Sequence, residues 1–101
     1  MRRRVVFSRE AAQDLIELYS YIAEQSGPHR ADAYTERIRA YCRDFADFPE
    51  RGTRRDDIRP DLRLIGFERR VTIAFDVTPD TVTIDRILYG GRDRESILPE
   101  D

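Results

Sequence analysis

The residues best suited to chemistry in this chain are arginines. All 18 basic residues are Arg, and ten of them follow residue 50. A guanidinium group is a planar, permanently charged fork that binds phosphate or carboxylate. Acidic residues are at least as numerous in that half, however, and the whole chain has a formal net charge of −2. Most of the arginines are therefore expected to be ordinary surface cations.

Arg86 stands out because it falls on the inward-facing parity of a predicted strand, which Val82 and Ile84 define. Two explanations are open. Either a β-bulge shifts the register so that Ile87 and Tyr89 turn inward, or Arg86 lies on a covered face and needs a carboxylate or carbonyl partner. Arg63 lies on another predicted strand, and we expect it near Arg86 if neighbouring strands pair in sequence order.

Tyr89 is a candidate of a different kind, because it ends the same strand just before Gly90 and Gly91, with Arg92 next. A Tyr at a strand end near arginines can act as a proton donor or as a stacking platform. The simpler interpretation is a half-buried Tyr of the sheet.

Metal, disulfide and common cofactor chemistry are not expected. The chain has one Cys and one His, too few for a disulfide framework or for a His- or Cys-based metal site. It has neither a G-x-G-x-x-G motif nor a P-loop, so no nucleotide cofactor is predicted. Cys42 falls on an apolar helix stripe and is expected in the core, whereas His29 is expected to be exposed.

The length of 101 residues predicts one domain, residues 1–101. No apolar run approaches the ~18 residues of a membrane span. The basic start of the chain is followed by a short apolar run that ends at Ser8, before a signal sequence develops. We therefore expect a cytoplasmic protein.

Two amphipathic helices are predicted in the first half. Ser8 is a good N-cap for a helix that extends to about Gln25, with Asp14 on its polar side. A second helix follows Gly27-Pro28, carries Phe48 in its apolar sector and stops before Pro49. The apolar face of the first helix comprises two rows: Ala11, Leu15, Leu18, Ile22 and Ala12, Ile16, Tyr19, Ala23.

The second half is predicted to be β-structure. Residues 49–61 form a polar loop, and strands follow at 62–67, 71–77 and 81–89, in addition to a short strand at residues 3–7. The order β-α-α-β-β-β predicts an α+β fold, in which a helical hairpin packs on one face of a mainly antiparallel sheet.

This order, together with several segments, resembles the ParE side of the RelE/ParE toxin superfamily, and the likeness covers nearly the whole chain. The segments that carry it are Phe7-Ser8-Arg9-Glu10-Ala11-Ala12-Gln13-Asp14-Leu15, Tyr19-Ser20-Tyr21-Ile22-Ala23, Ala31-Asp32-Ala33-Tyr34, Pro49-Glu50-Arg51-Gly52, Ile58-Arg59-Pro60-Asp61-Leu62-Arg63 and Val82 through Asp93.

The resemblance implies the toxin of a bacterial type II toxin-antitoxin system, with two activities to choose between. RelE-like members cleave mRNA on the ribosome with basic residues and often a C-terminal Tyr or His, for which Arg63, Arg86 and Tyr89 are the matching positions here. ParE-like members inhibit DNA gyrase. The chain has no Lys, no terminal Tyr or His and a negative net charge. These departures favour gyrase inhibition without catalysis.

The resemblance also implies a cognate antitoxin, often a ribbon-helix-helix protein, and no sequence-specific DNA binding by the toxin alone. Exposed strand edges would accept a segment of the antitoxin. The residues expected to bind the antitoxin or the target are Arg59, Arg63, Arg86, Tyr89 and Arg92. A non-toxic interaction module with the same fold is a further alternative.

Overall fold

The computed structural model describes residues 2–90. The helices and strands are β1 (Arg4–Phe7), α1 (Arg9–Ser26), α2 (Pro28–Arg43), a 3-10 turn (Asp44–Ala46), β2 (Thr53–Arg54), β3 (Leu62–Phe67), β4 (Val71–Val77) and β5 (Thr81–Tyr89). They form an α+β fold with the predicted order of helices and long strands. The predicted last helical turn, at residues 92–98, lies outside the described residues.

The two helices begin and end where local chemistry favours it. The Ser8 side chain accepts a hydrogen bond from the backbone N–H of Ala11 at 3.0 Å and caps α1, as predicted. Gly27 has a φ of 92° and separates the helices, and Pro28 occupies the first turn of α2. The connection is so short that α1 and α2 form a helical hairpin.

The five strands form one sheet in the order β1-β5-β4-β3-β2. All neighbours are antiparallel except β1 and β5, which run parallel with Arg4 opposite Thr81. The segment 49–61 is not wholly a loop, because β2 pairs with β3 there. A two-residue exposed strand shows no alternation of apolar and polar residues, which is why the sequence pattern missed it.

The core lies between the helical hairpin and one face of the sheet, and it contains Leu15, Leu18, Ile38, Phe45 and Phe75. In the first row of α1, Ala11, Leu15 and Leu18 are buried as predicted and Ile22 is partly buried. Three expectations are wrong: Ala12 is exposed, Ile16 is 58% exposed and Phe48 is 64% exposed. The sheet is covered by a hairpin of two helices, so only one row of α1 reaches the core, and Phe48 follows the end of the second helix.

Candidate functional site

Arg86 lies at a β-bulge and also has a carboxylate partner, so both explanations of its position are confirmed together. Ala74 pairs with Arg86 whereas Phe75 pairs with Ile84, which leaves Asp85 as the extra residue. The Arg86 guanidinium donates to both carboxylate oxygens of Asp14, at 2.9 and 3.1 Å. Arg86 is thus held by a residue of α1.

Asp14 was expected on the polar side of α1, but its side chain is only 12% exposed. Besides the Arg86 guanidinium, it accepts the backbone N–H of Ile87 at 2.8 Å. It therefore binds a side chain and a strand edge at once. Helical periodicity cannot identify such a role, because a paired carboxylate beside the core has the same sequence pattern as one in solvent.

Arg59 lies in the loop between β2 and β3 and bridges two carboxylates. Its guanidinium donates to Asp76 at 2.9 and 3.1 Å and to Asp85 at 2.9 Å. The pKa of Asp85 is raised to about 7, first because burial disfavours the charged form and then because of hydrogen bonding to Asp76 and its charge; Arg59 opposes this shift. The carboxylate pair was not foreseen, since a β-bulge determines where Asp85 points.

Arg63 is engaged elsewhere. It lies opposite Phe75 in the β3–β4 pairing and donates to the backbone oxygen of Arg51 at 3.2 Å. The strands pair in sequence order as expected, but Arg63 and Arg86 lie on strands separated by β4 and contact different partners. They do not share a site. Arg92 lies outside the described residues.

Arg51, which provides that backbone oxygen, packs against an aromatic cluster. Its guanidinium carbon lies 5.4 Å from the Phe45 ring centroid and 5.7 Å from those of Tyr41 and Phe48. Such contacts stabilise by about 0.5–1 kcal/mol at exposed sites. Phe48, although exposed, is thereby part of the structure around β2.

The Cys42 and His29 expectations are confirmed. Cys42 is fully buried, and burial raises the pKa of its thiol to about 12, so it is a packing residue and not a nucleophile. His29 is exposed in the first turn of α2. Within residues 2–90, no three His, Cys, Asp or Glu side chains group as metal ligands, and no helix is long and apolar enough to cross a membrane.

Tyr89 lines a cavity of about 560 Å³ between the helical hairpin and the end of the β4–β5 pair. Its ring packs against that of Tyr21, with centroids 5.5 Å apart. Three arginines line the same cavity: Arg30, Arg37 and Arg70. Tyr89 was a predicted site residue, and Arg70 was one of the ten arginines after residue 50, but nothing in the sequence placed these arginines together, because they come from two turns of α2 and from a hairpin.

Tyr34 forms part of the cavity wall, and its hydroxyl is buried without a hydrogen-bond partner. Burial and the negative charge of Glu68 raise the pKa of this phenol. Arg37 lies over the Tyr34 ring at 5.0 Å and donates to Glu68 through two bonds of 3.0 Å. A Tyr on an apolar helix face is a sequence signal for a buried hydroxyl that needs a partner.

The β3–β4 hairpin turn that places Glu68 and Arg70 beside the cavity is strained. Glu68 and Arg69 have φ values of 48° and 64°, and the turn is closed by a bond of 3.2 Å from Arg70 N–H to the Phe67 oxygen. Two-residue turns of this kind favour Asn-Gly, since side chains other than Gly, Asn and Asp rarely adopt positive φ. The positive φ values of Glu68 and Arg69 therefore lower the stability of the folded chain.

Comparison with known proteins agrees with the α+β hairpin-on-sheet architecture. Residues 5–94 match the family model described as ParE toxin of type II toxin-antitoxin system, parDE. The chain belongs to that family. A solved chain of the chromosomal ParDE toxin-antitoxin system from P. aeruginosa has the same fold, with a TM-score of 0.76 and 24% identity over 87% of this chain and 96% of that one. No curated protein matched the chain.

Proposed function

We propose that this ParE-family toxin inhibits DNA gyrase by binding it, without chemistry of its own, and that a cognate antitoxin of the ribbon-helix-helix type neutralises it in the cytoplasm. The observation that carries the proposal is the family match over residues 5–94. The gyrase target is a more specific claim than membership of a toxin family, and it rests on the contacts that the candidate arginines make within the chain.

Binding is favoured over catalysis because the two arginines at the positions that match an RNase are already engaged within the chain. Arg63 binds a backbone oxygen and Arg86 binds Asp14. A phosphate in a cleavage site would have to displace these partners. The formal net charge of −2 also opposes approach to ribosomal RNA.

The edge of β5 is the surface best suited to an antitoxin segment. β1 ends at Phe7, opposite Ile84, whereas β5 continues to Tyr89. Asp14 accepts the N–H of Ile87 on that edge, and within residues 2–90 no strand covers the remaining length. Because Ser8 bonds to the Asp85 backbone oxygen and Asp14 to the Ile87 N–H, an extended segment can add by backbone hydrogen bonding only beyond Ile87. Among the candidate contacts, we propose Arg92 and Tyr89 for the antitoxin, because Arg59, Arg63 and Arg86 would first have to exchange their partners within the chain.

The test is DNA supercoiling by purified gyrase with the purified chain, with and without the antitoxin encoded beside it. We expect loss of supercoiling that the antitoxin restores. In parallel, translated mRNA is examined for cleavage on ribosomes. Intact supercoiling with fragmented mRNA would overturn the gyrase proposal in favour of the RNase reading. Binding to the antitoxin with neither effect would identify a non-toxic interaction module.

Charge reversal tests the antitoxin surface. Arg92→Glu is expected to weaken the complex, because it replaces an attraction with a repulsion. Arg39→Glu is the matched control: Arg39 lies on α2, where it neighbours Glu36 at 3.8 Å. Equal affinity of the two variants would show that Arg92 does not contact the antitoxin.

A further inference from the structure

We infer that the cavity between the helical hairpin and the β3–β4 turn binds a nucleoside monophosphate group. Its volume of about 560 Å³ falls within the range of roughly 300–1,000 Å³ typical of small-molecule sites. The inference is independent of the gyrase proposal, because it concerns a ligand of the toxin itself.

The charge of the cavity wall indicates an anion. Three arginines and no acidic residue line it. Glu68, just outside, neutralises Arg37 through a bidentate pair. Within residues 2–90, no acidic residue pairs with Arg30 or Arg70, so two guanidinium charges have no acidic partner in that part of the chain. This is a local excess of positive charge in a chain whose formal net charge is −2.

Two uncompensated charges match a phosphomonoester better than a carboxylate. A phosphomonoester carries about −1.5 to −2 charges at neutral pH and three acceptor oxygens, whereas a carboxylate carries a single charge. Guanidinium groups bind phosphate through paired N–H donors. The unpartnered hydroxyl of Tyr34 supplies a further donor. Because that hydroxyl is buried without a bond, a ligand acceptor would relieve an existing cost.

The aromatic wall indicates a planar body attached to the phosphate. Tyr21 is 43% exposed and packs against Tyr89 at 5.5 Å, and both line the cavity. Stacking of a base on an aromatic ring is tolerant of base identity and contributes about 1–3 kcal/mol per base. A nucleotide whose base stacks on this wall and whose phosphate points toward Arg30 and Arg70 would contact both the aromatic and the basic side of the cavity.

The strained turn is a second, independent observation at the same place. Glu68 and Arg69 keep positive φ values in the turn that delivers Arg70 to the cavity and Glu68 to Arg37. Strained backbone is concentrated at functional sites, where the surrounding structure maintains it. The turn is retained at a cost in stability, as expected if its side chains serve a ligand.

Isothermal titration of the purified chain with adenosine 5′-monophosphate tests the inference. We expect saturable binding, with adenosine and inorganic phosphate each at least about tenfold weaker, because each lacks one of the two contacts. A 5′-phosphorylated oligonucleotide distinguishes the sources of the group. Tighter binding of the oligonucleotide would identify a strand end, and exclusive binding of the monophosphate would identify a free nucleotide.

Variants locate the site. Arg30→Gln and Arg70→Gln are each expected to weaken binding about tenfold, and Tyr34→Phe about threefold to tenfold. Tyr34→Phe should leave the urea midpoint unchanged or raised, since its hydroxyl has no partner to lose. Arg39→Gln, an exposed change on the same helix, is the control and should bind normally.

The inference is overturned if the monophosphate does not bind saturably, if adenosine binds equally well, or if Arg30→Gln and Arg70→Gln bind as Arg39→Gln does. A glutamate-rich peptide that binds where the monophosphate does not would likewise overturn it, and would assign the cavity to an acidic protein segment.

Discussion

Replacing Asp14 with Ala should be among the most destabilising single changes at a polar residue of this chain. The side chain accepts three hydrogen bonds: two from the Arg86 guanidinium and one from the backbone N–H of Ile87. It is 12% exposed and Arg86 is 25% exposed. The pair is therefore mostly buried, and its loss also removes the acceptor of a strand-edge N–H.

The size of the effect follows from these contacts. Breaking a buried ion pair by removing one partner costs about 3–5 kcal/mol. Partial exposure of Arg86 places Asp14→Ala at the lower end, about 3 kcal/mol of unfolding free energy. Asp14→Asn keeps an oxygen for the Ile87 N–H and loses the charge, so we expect roughly half that cost.

Urea denaturation followed by circular dichroism measures the effect. The control is Glu36→Gln, which breaks a pair with Arg43 that is shorter, at 2.7 Å, but whose side chains are 59% and 56% exposed. Its midpoint should hardly move, since exposed pairs contribute little. If Asp14→Ala and Glu36→Gln shift the midpoint equally, burial of the Asp14–Arg86 pair does not determine its contribution.

Three further predictions concern the backbone and pH. Gly52→Ala should cost roughly 2–4 kcal/mol in urea denaturation, because at φ +71° its Cβ would lie 2.2 Å from the Leu64 carbonyl oxygen. Gly90→Ala has φ +65° but open space and should cost only about 1 kcal/mol; equal losses would refute the steric explanation. Arg69→Asn should raise stability by roughly 0.5–1 kcal/mol by easing a φ of 64°, and a decrease would show that the turn is not strained. The pKa of Asp85 is about 7 in the folded chain against about 3.9 unfolded, so the folded state binds this proton more tightly and its stability should fall as pH rises from about 4 to 7. Asp85→Asn should flatten that part of the thermal-midpoint profile, and an unchanged slope would assign it to other groups.

Much of the fold was predictable because its long elements have clear periodicity. The Ser8 cap, the Gly27-Pro28 break and the alternation through Val71–Val77 are local signals that agree with the tertiary structure. β2 was not predictable, because its two residues are exposed and depend on pairing with β3.

The site was less predictable because its members depend on contacts distant in sequence. Strand parity marked Arg86 as unusual. Its partner Asp14, however, is 72 positions away in the sequence, on a helix face that helical periodicity predicts to be polar. Arg70 reaches the cavity only through a hairpin turn whose Glu68 and Arg69 are not typical turn residues. Periodicity identifies which face is buried; it does not identify which polar side chains meet.

The parallel pairing of β1 with β5 has a consequence for how the molecule is made. Arg4 lies opposite Thr81, so β1 cannot join the sheet until β5 has been synthesised. The β3–β4 hairpin consists of local contacts and can form before that point, whereas closing the sheet at β1 is a step of high contact order. Until then, the apolar face of α1 lacks the strand on which it packs and is exposed to aggregation or to a binding partner. The chain therefore completes its sheet only after β5 has been synthesised.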